Sequence, residues 1–371
     1  MKVLHIGNLK TGVDVCVRNI ITYASTDFDF VVVNGADDRN EPYVRKDCNV
    51  RSYQICMFRA LNPLNDIKAL IQAIRIIKRE KPDLVHCHSA KGGVIGRFAA
   101  FMTFRKSVYT PHAFSFLSAE KEWKSLVYRF YERFARLNSY LIGCSESERL
   151  MAIQQVGYSE QKAFSWTNSI PKINADNIVR PQNIDEDDNY IVTIARPCYQ
   201  KNPMLMLEIM RQLHERYPHI KLYVVGADFY SPLQDEMQRM IKEYGMQETI
   251  KILPWVSHEE ALGYLKYSLF YLSTSIYEGL PIAVLEAMAL GKAIVASDVI
   301  GNRDCVKDCY NGRLLPMDAD IFAKECCKLI EDKVLRIRME ENSFSLFGEK
   351  FLIEKRIGEL ETLYRKIVRK A

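Results

Sequence analysis

No stretch of this 371-residue chain approaches the roughly 18 consecutive apolar residues that a membrane span requires, so no spanning helix is expected. The opening Met1-Lys-Val-Leu-His-Ile6 is too short and too soon interrupted for a secretory leader, and it reads as a strand. Ten cysteines are present without a CxxC pair or a His-rich companion; Cys326 and Cys327 are simply adjacent. That scatter argues against a disulfide framework or a zinc site and for reduced, structural thiols in a cytoplasmic protein. Zinc-finger spacing, a helix-turn-helix pattern and an RNA-recognition motif are all lacking, which removes nucleic acid from the expected partners. There is also no short-period repeat and no low-complexity tract.

What is present is an alternation of apolar runs with amphipathic stretches, the pattern of parallel α/β folding. Val3–Ile6, Phe28–Val33, Leu84–Cys87, Ser107–Tyr109 and Tyr140–Gly143 read as strands of one sheet. Leu64–Glu80, Gly92–Phe104 and Lys121–Leu137 carry helical periodicity between them. A second series runs through Tyr190–Ala195, Lys221–Gly226, Ile250–Leu253, Leu269–Ser273 and Ala293–Ala296. Between the two series, Asn174–Asn189 is rich in Asn, Asp and Pro and reads as an interdomain linker. Ligand sites in such doubly wound halves are expected at the carboxyl ends of the strands.

The net charge of +5 conceals an asymmetry. Residues 1–175 hold 25 Lys and Arg against 16 Asp and Glu, a balance of +9, while the remainder stands at −4. The first half is therefore expected to meet something anionic, a membrane surface or a phosphate-bearing acceptor. Trp123–Arg136 mixes aromatics with four cations and one Glu, and two readings stay open for it. It rests on an anionic bilayer, or it packs with its cations snorkelling.

The most informative stretch is Glu278-Gly-Leu-Pro-Ile-Ala-Val-Leu-Glu286. Pro281 suits a first helical turn, where its missing N–H would have no partner. Gly279 permits a tight turn or a close approach to a ligand. The free N–H groups past Pro281 and the helix dipole favour an anion such as a diphosphate. Glu278 then sits in the loop before that site and Glu286 well inside the helix; eight helical residues rise about 12 Å, so the two carboxylates suit the two ends of a nucleotide sugar. Arg196 and Lys201 leave the end of the strand at Tyr190–Ala195 and could clamp that diphosphate, one as a planar fork and one as a point charge.

Ser273 through Asp298 resembles, nearly residue by residue, the E-x7-E segment of the retaining glycosyltransferases of family 4. The resemblance continues through Gly301-Asn-Arg-Asp304 and Asn311-Gly-Arg-Leu-Leu-Pro316. It implies the GT-B fold, two Rossmann-like domains facing a central cleft. Residues 1–175 would bind the acceptor and 190–350 the donor, with the last helix, Phe351–Lys370, crossing back onto the first domain. In that family's pattern Glu286 holds the ribose, Glu278 the donor sugar, and backbone near Leu280 the phosphates. Arg196 and Lys201 occupy the family's Arg…Lys positions, preceded by Ala195 where Gly is usual. Gly226 is expected to let the nucleotide approach. Trp255 lies where the family contacts the base, but a core position is the stronger expectation for it.

In the first half, Tyr109-Thr-Pro-His112-Ala113 matches the family's T-x-H-G segment, with Ala113 replacing the Gly. The resemblance implies that His112 lies near the donor sugar. Gly12 stands alone where two adjacent glycines are usual. His86 and His88 alternate around a strand end with no third ligand of suitable spacing, so they read as cleft-lining or structural. Ser89–Gly93, with Lys91 in it, opens a helix suited to a phosphate on the acceptor. His86–Phe116 also looks like bacterial transferases that build capsule, O-antigen or exopolysaccharide units on a polyprenyl diphosphate carrier.

The expected activity is thus retaining transfer of a hexosyl unit from a UDP- or GDP-sugar to an acceptor hydroxyl, with no metal or other cofactor. The acceptor is a saccharide linked to polyprenyl diphosphate, at the inner face of the cytoplasmic membrane. Two alternatives stand beside it: a nucleotide-sugar-binding subunit without activity, and a nucleotide-sugar epimerase of the same architecture.

Overall fold

The structure is a computed structural model, and it describes residues 1–38, 41–58, 60, 62–227 and 231–369. Lys370 and Ala371, the end of the expected last helix and of the first domain, lie outside the described residues. The chain divides into two compact units, residues 1–171 with 352–371 and residues 172–351. Each has one parallel sheet flanked by helices, the arrangement of the GT-B fold.

In the first unit, seven strands stand in the order β3-β2-β1-β4-β5-β6-β7. They are β1 (Lys2–Gly7), β2 (Asp29–Gly35), β3 (Arg51–Ile55), β4 (Leu84–His88), β5 (Lys106–Thr110), β6 (Tyr140–Gly143) and β7 (Ala163–Ser165). The central strands are buried throughout, as parallel strands covered on both faces must be. Helices α1 (Gly12–Tyr23), α2 (Pro63–Glu80), α3 (Ala90–Met102) and α4 (Glu122–Ala135) follow in chain order. Asn62 caps α2 by accepting from the Asn65 N–H, with Pro63 at its first turn.

The second unit has six strands in the order β10-β9-β8-β11-β12-β13. They are β8 (Tyr190–Ile194), β9 (Lys221–Ala227), β10 (Ile250–Pro254), β11 (Tyr271–Ser273), β12 (Ile294–Ser297) and β13 (Gly312–Leu315). Its helices include α5 (His258–Lys266) and α6 (Ile282–Ala289). The core gathers Ile191, Leu222 and Val224 from the sheet with Met206, Met210 and Leu213 from the helix Pro203–Arg216.

The last helix, α7 (Ile353–Arg369), belongs to the first unit. Its Ile353, Leu360, Tyr364 and Ile367 share one core with Val3, Val32 and Leu84 of the sheet. The Glu361 carboxylate accepts from the Ser25 N–H (2.6 Å) and the Ser25 hydroxyl (2.9 Å).

Two expectations need correction. The Asn- and Asp-rich segment 174–189 is not a free linker but part of the second unit. Lys266 Nζ donates to the carbonyls of Ala175 and Ile178, and the Tyr264 hydroxyl bonds Asn183. Gly263 lets that segment lie close, because a Cβ there would stand 2.7 Å from the Val179 carbonyl. Trp255, expected in the core, is 44% exposed at the end of β10.

Candidate active site

In the second unit two of the sequence candidates, Lys201 and Glu278, come together. The Glu278 carboxylate is buried in the loop that follows β11, and every bond it receives comes from a loop that leaves a strand. Lys201 Nζ donates to Oε1 at 2.5 Å and Ser275 Oγ to the same oxygen at 2.7 Å. Gln200 Nε2 donates to Oε2 at 3.2 Å and to the Tyr277 carbonyl at 3.1 Å. The 3-10 turn Tyr199–Lys201 that carries these groups is fastened by the Thr274 hydroxyl, which donates to the Lys201 carbonyl at 2.8 Å. Burial alone would lower the Lys201 pKa. The Glu278 charge and hydrogen bond, together with Tyr271 and Cys198, outweigh it and hold the ammonium above its ordinary value.

Gly301 completes this setting. Its φ is +86°, and a Cβ would meet Glu278 Cβ at 2.6 Å and the Gly279 carbonyl at 2.9 Å. Only glycine takes both that dihedral and that proximity. Beneath it Asn302 Nδ2 donates to the Ser297 carbonyl at 3.0 Å, and the Ser297 hydroxyl bonds the Ser275 carbonyl. The loop bearing Glu278 is therefore held from below.

Pro281 is the residue before α6 rather than its first turn; its φ and ψ, −73° and 117°, are extended. Its carbonyl accepts from the N–H groups of Val284 (3.1 Å) and Leu285 (3.2 Å). Glu278 consequently lies four residues outside the helix, so a helical rise does not set the separation of the two glutamates. Gly279, Leu280 and Pro281 are buried. Glu286, also buried, bonds His258 Nε2 through Oε1 at 2.7 Å. That hydrogen bond and the carboxylate charge raise the His258 pKa above its ordinary value, against a smaller opposing effect of burial. The sequence reading missed His258. Ser257-His-Glu-Glu260 carries a helix-start signature, and Ser257 Oγ does accept from the Glu260 N–H at 3.1 Å.

Arg196 follows β8, half-buried, with no ion pair or hydrogen bond to another described residue. Gly226 interrupts the register of β9 with β10, has φ +106°, and faces open space where a Cβ would stand.

In the first unit the structure places His112 beside His88, with Nε2 and Nδ1 3.0 Å apart. His112 and Ala113 both adopt positive φ, 54° and 82°. Ala113 thus occupies a conformation that favours glycine, held by its N–H donating to Glu148 Oε1 at 2.8 Å. A third imidazole joins His86 and His88 after all: His5, opposite His86 in the β1–β4 register. A sequence without strand register cannot reveal that pairing. Gly12 is the first residue of α1 rather than a loop residue. Ser89 precedes α3 with its hydroxyl buried and without a partner among the described residues. Lys91 is already engaged, bonding Asp66 Oδ1 at 2.9 Å and the Ala60 carbonyl at 2.5 Å.

Residues 174–345 match the family described as glycosyl transferases group 1, and residues 10–171 match glycosyltransferase family 4. Together the matches leave only short segments of the chain uncovered. The chain belongs to the group 1 glycosyltransferases. This glycosyltransferase is 28% identical, over 87% of its length and 85% of the relative's, to an Escherichia coli enzyme named UDP-Gal:alpha-D-GlcNAc-diphosphoundecaprenol alpha-1,3-galactosyltransferase. It is 25% identical to the E. coli O-antigen biosynthesis glycosyltransferase WbnH, over 72% and 73% of the two chains. Among solved structures it superposes on Anabaena Alr3699/HepE in complex with UDP and glucose, with a TM-score of 0.79 over 98% of both chains. At 19% identity that likeness shows the fold.

Proposed function

We propose that this glycosyltransferase moves a hexosyl unit from a nucleoside diphosphate sugar to a hydroxyl of a lipid-linked saccharide, with retention, in bacterial surface-polysaccharide assembly. The observation that carries this reading is the cationic end of β8. Lys201 is held against Glu278 by bonds that fix both, while the nearby Arg196 has no partner among the described residues. A diphosphate supplies the missing anion. Arg196, Lys201 and the backbone entering α6 then neutralise the charge that builds on the departing nucleotide. Glu278 holds the donor sugar, Glu286 the ribose, and Gly226 leaves room for the nucleotide. No residue is assigned as a covalent nucleophile; the leaving phosphate takes the acceptor's proton in a same-face displacement. The relatives named for an undecaprenyl diphosphate acceptor and for O-antigen synthesis support the acceptor class.

The acceptor class in turn places the enzyme at an anionic bilayer, and α4 has the surface for it. Its inward face is polar: Glu132 is buried against Arg97, which no solvent reaches, at 3.1 Å and accepts from the Tyr109 hydroxyl at 3.0 Å. Its outward face is apolar, with Trp123, Leu126, Phe130 (66% exposed), Tyr131 and Phe134 (62%) within one side of the helical wheel. Lys124 and Arg133 flank that stripe, and the end of α3 adds exposed Phe101, Met102 and Phe104. Among the described residues no helix is long and apolar enough to cross a membrane. The stripe lies in the interface instead.

Mass spectrometry of products from a panel of UDP- and GDP-sugars, offered with a polyprenyl-diphosphate-linked sugar, tests the reaction. Transfer to that acceptor is expected, and anomeric couplings in the product give its configuration. Absence of transfer from every donor would sink the proposal. Sedimentation with phosphatidylglycerol and phosphatidylcholine vesicles tests the surface. Binding only to the anionic vesicles, lost in F130S/F134S, is expected; binding unchanged in that variant refutes the role of α4.

A further inference from the structure

A chain of imidazoles runs inward from His112. His112 Nε2 lies 3.0 Å from His88 Nδ1, and His88 Nε2 lies 2.9 Å from His5 Nδ1. His5 and His88 are buried, and His5 Nε2 ends the chain with no hydrogen-bond partner among the described residues. Beside them His86 is fully committed elsewhere, with Nδ1 2.6 Å from the Tyr364 hydroxyl and Nε2 2.9 Å from Thr110 Oγ1.

A neutral imidazole carries one N–H and one bare nitrogen, and a bond between two rings needs one of each. Both bonds here join a δ nitrogen to an ε nitrogen. If His5 holds its proton on Nδ1, His88 Nε2 must be bare and its proton must sit on Nδ1. The same step then passes to His112. If His5 holds its proton on Nε2, the order reverses throughout. Burial keeps the rings uncharged: it draws His5 down to about 3 and His112 to about 4, and pushes His88 well below its ordinary value.

We infer that His88 and His5 are positioning residues that fix the tautomer of His112, so that all three rings carry their proton on the same nitrogen. Whether His112 offers its outer nitrogen Nδ1 as a donor or an acceptor is then decided at His5, two rings deeper. The value of this lock to transfer rests on the function proposed above; the lock itself does not.

A metal is the competing use of the same side chains, because nitrogens of His5, His86 and His88 come within 4.8 Å of one another. Their bonds oppose it. Both ring nitrogens of His86 and both of His88 already have protein partners. Three neutral rings in the core would also have to take up an uncompensated double charge.

Long-range proton–nitrogen correlation spectra of the whole protein, labelled with 15N-histidine, read each ring's tautomer directly. The expected result at pH 7 is one identical tautomer for His5, His88 and His112. In H88F, His112 should relax to a mixture of both forms while the circular dichroism spectrum stays unchanged. If H88F fails to fold, the wild-type spectra still decide. Differing tautomers among the three rings, or a stoichiometric metal in the purified protein, overturns the inference. An enzyme that transfers sugar but shows differing tautomers would refute the lock alone; identical tautomers without transfer from any donor would refute only the function.

Discussion

The two units bury their functional polar groups by opposite means. Around Glu278 the interior keeps full charges, each matched by a counter-charge and by further donors. Around His88 it keeps titratable groups that have given up their charge and hand neutral hydrogen bonds from ring to ring. The contrast follows from desolvation: a lone ion loses its proton or gains one, whereas a paired ion persists. Charge is therefore kept in the unit where a charged leaving group is proposed.

Acid should break the comparison most severely. Burial lowers the pKa of His5, His86 and His88 far below the unfolded value near 6.5, so the folded state binds fewer protons. The stability these rings contribute is complete above about pH 6.5 and is lost as pH falls toward their folded values. The three together approach a slope of about 4 kcal/mol per pH unit. Denaturant melts between pH 7 and 5 measure this, and a flat profile would contradict the burial of neutral rings.

Removing one member of the charged pair should come next. Glu278→Ala leaves Lys201 without its counter-ion and should abolish transfer. It should also destabilise the unit by about 2–3 kcal/mol, less than for a wholly enclosed pair because Lys201 keeps some solvent contact. Gly301→Ala tests the same pocket sterically. A Cβ 2.6 Å from Glu278 at positive φ should cost about 1–3 kcal/mol and most of the activity. Wild-type turnover in either variant would remove Glu278 from the mechanism.

Glu286→Ala should raise the dissociation constant for the nucleoside diphosphate about 10–100-fold, since hydrogen bonds to a charged carboxylate are worth about 1.5–3 kcal/mol. Calorimetry reads this. His258→Ala should have only a few-fold effect, because His258 orients Glu286 from an exposed position. The smallest effect is expected at Ala113, whose φ of 82° suits glycine: Ala113→Gly should raise stability by about 1 kcal/mol or less in thermal melts.

Much of the fold was legible because buried parallel strands are apolar runs, and each run named in the sequence contains a strand. The strands that escaped notice lie toward or at the sheet edges. Arg51–Ile55 is mostly exposed, and Ala163–Ser165 has only three residues. In the site, Glu278, Lys201 and Glu286 were legible through a motif that is contiguous or nearly so. His5 and His258 were not, because each meets its partner through strand register or across a helix, far apart in sequence. Trp255 was misjudged because size and apolarity alone favour the interior.

Tyr364 on α7 bonds His86, and α7 fills the core of a sheet made by residues 2–165. During synthesis, the intervening 180 residues must leave the ribosome before that core can close. The later-made unit, residues 172–351, is complete before α7 is made, so the order of maturation runs opposite to the order of translation. A nascent chain stalled before Ile353 should accordingly be protease-sensitive in its earliest segment and resistant in its newest.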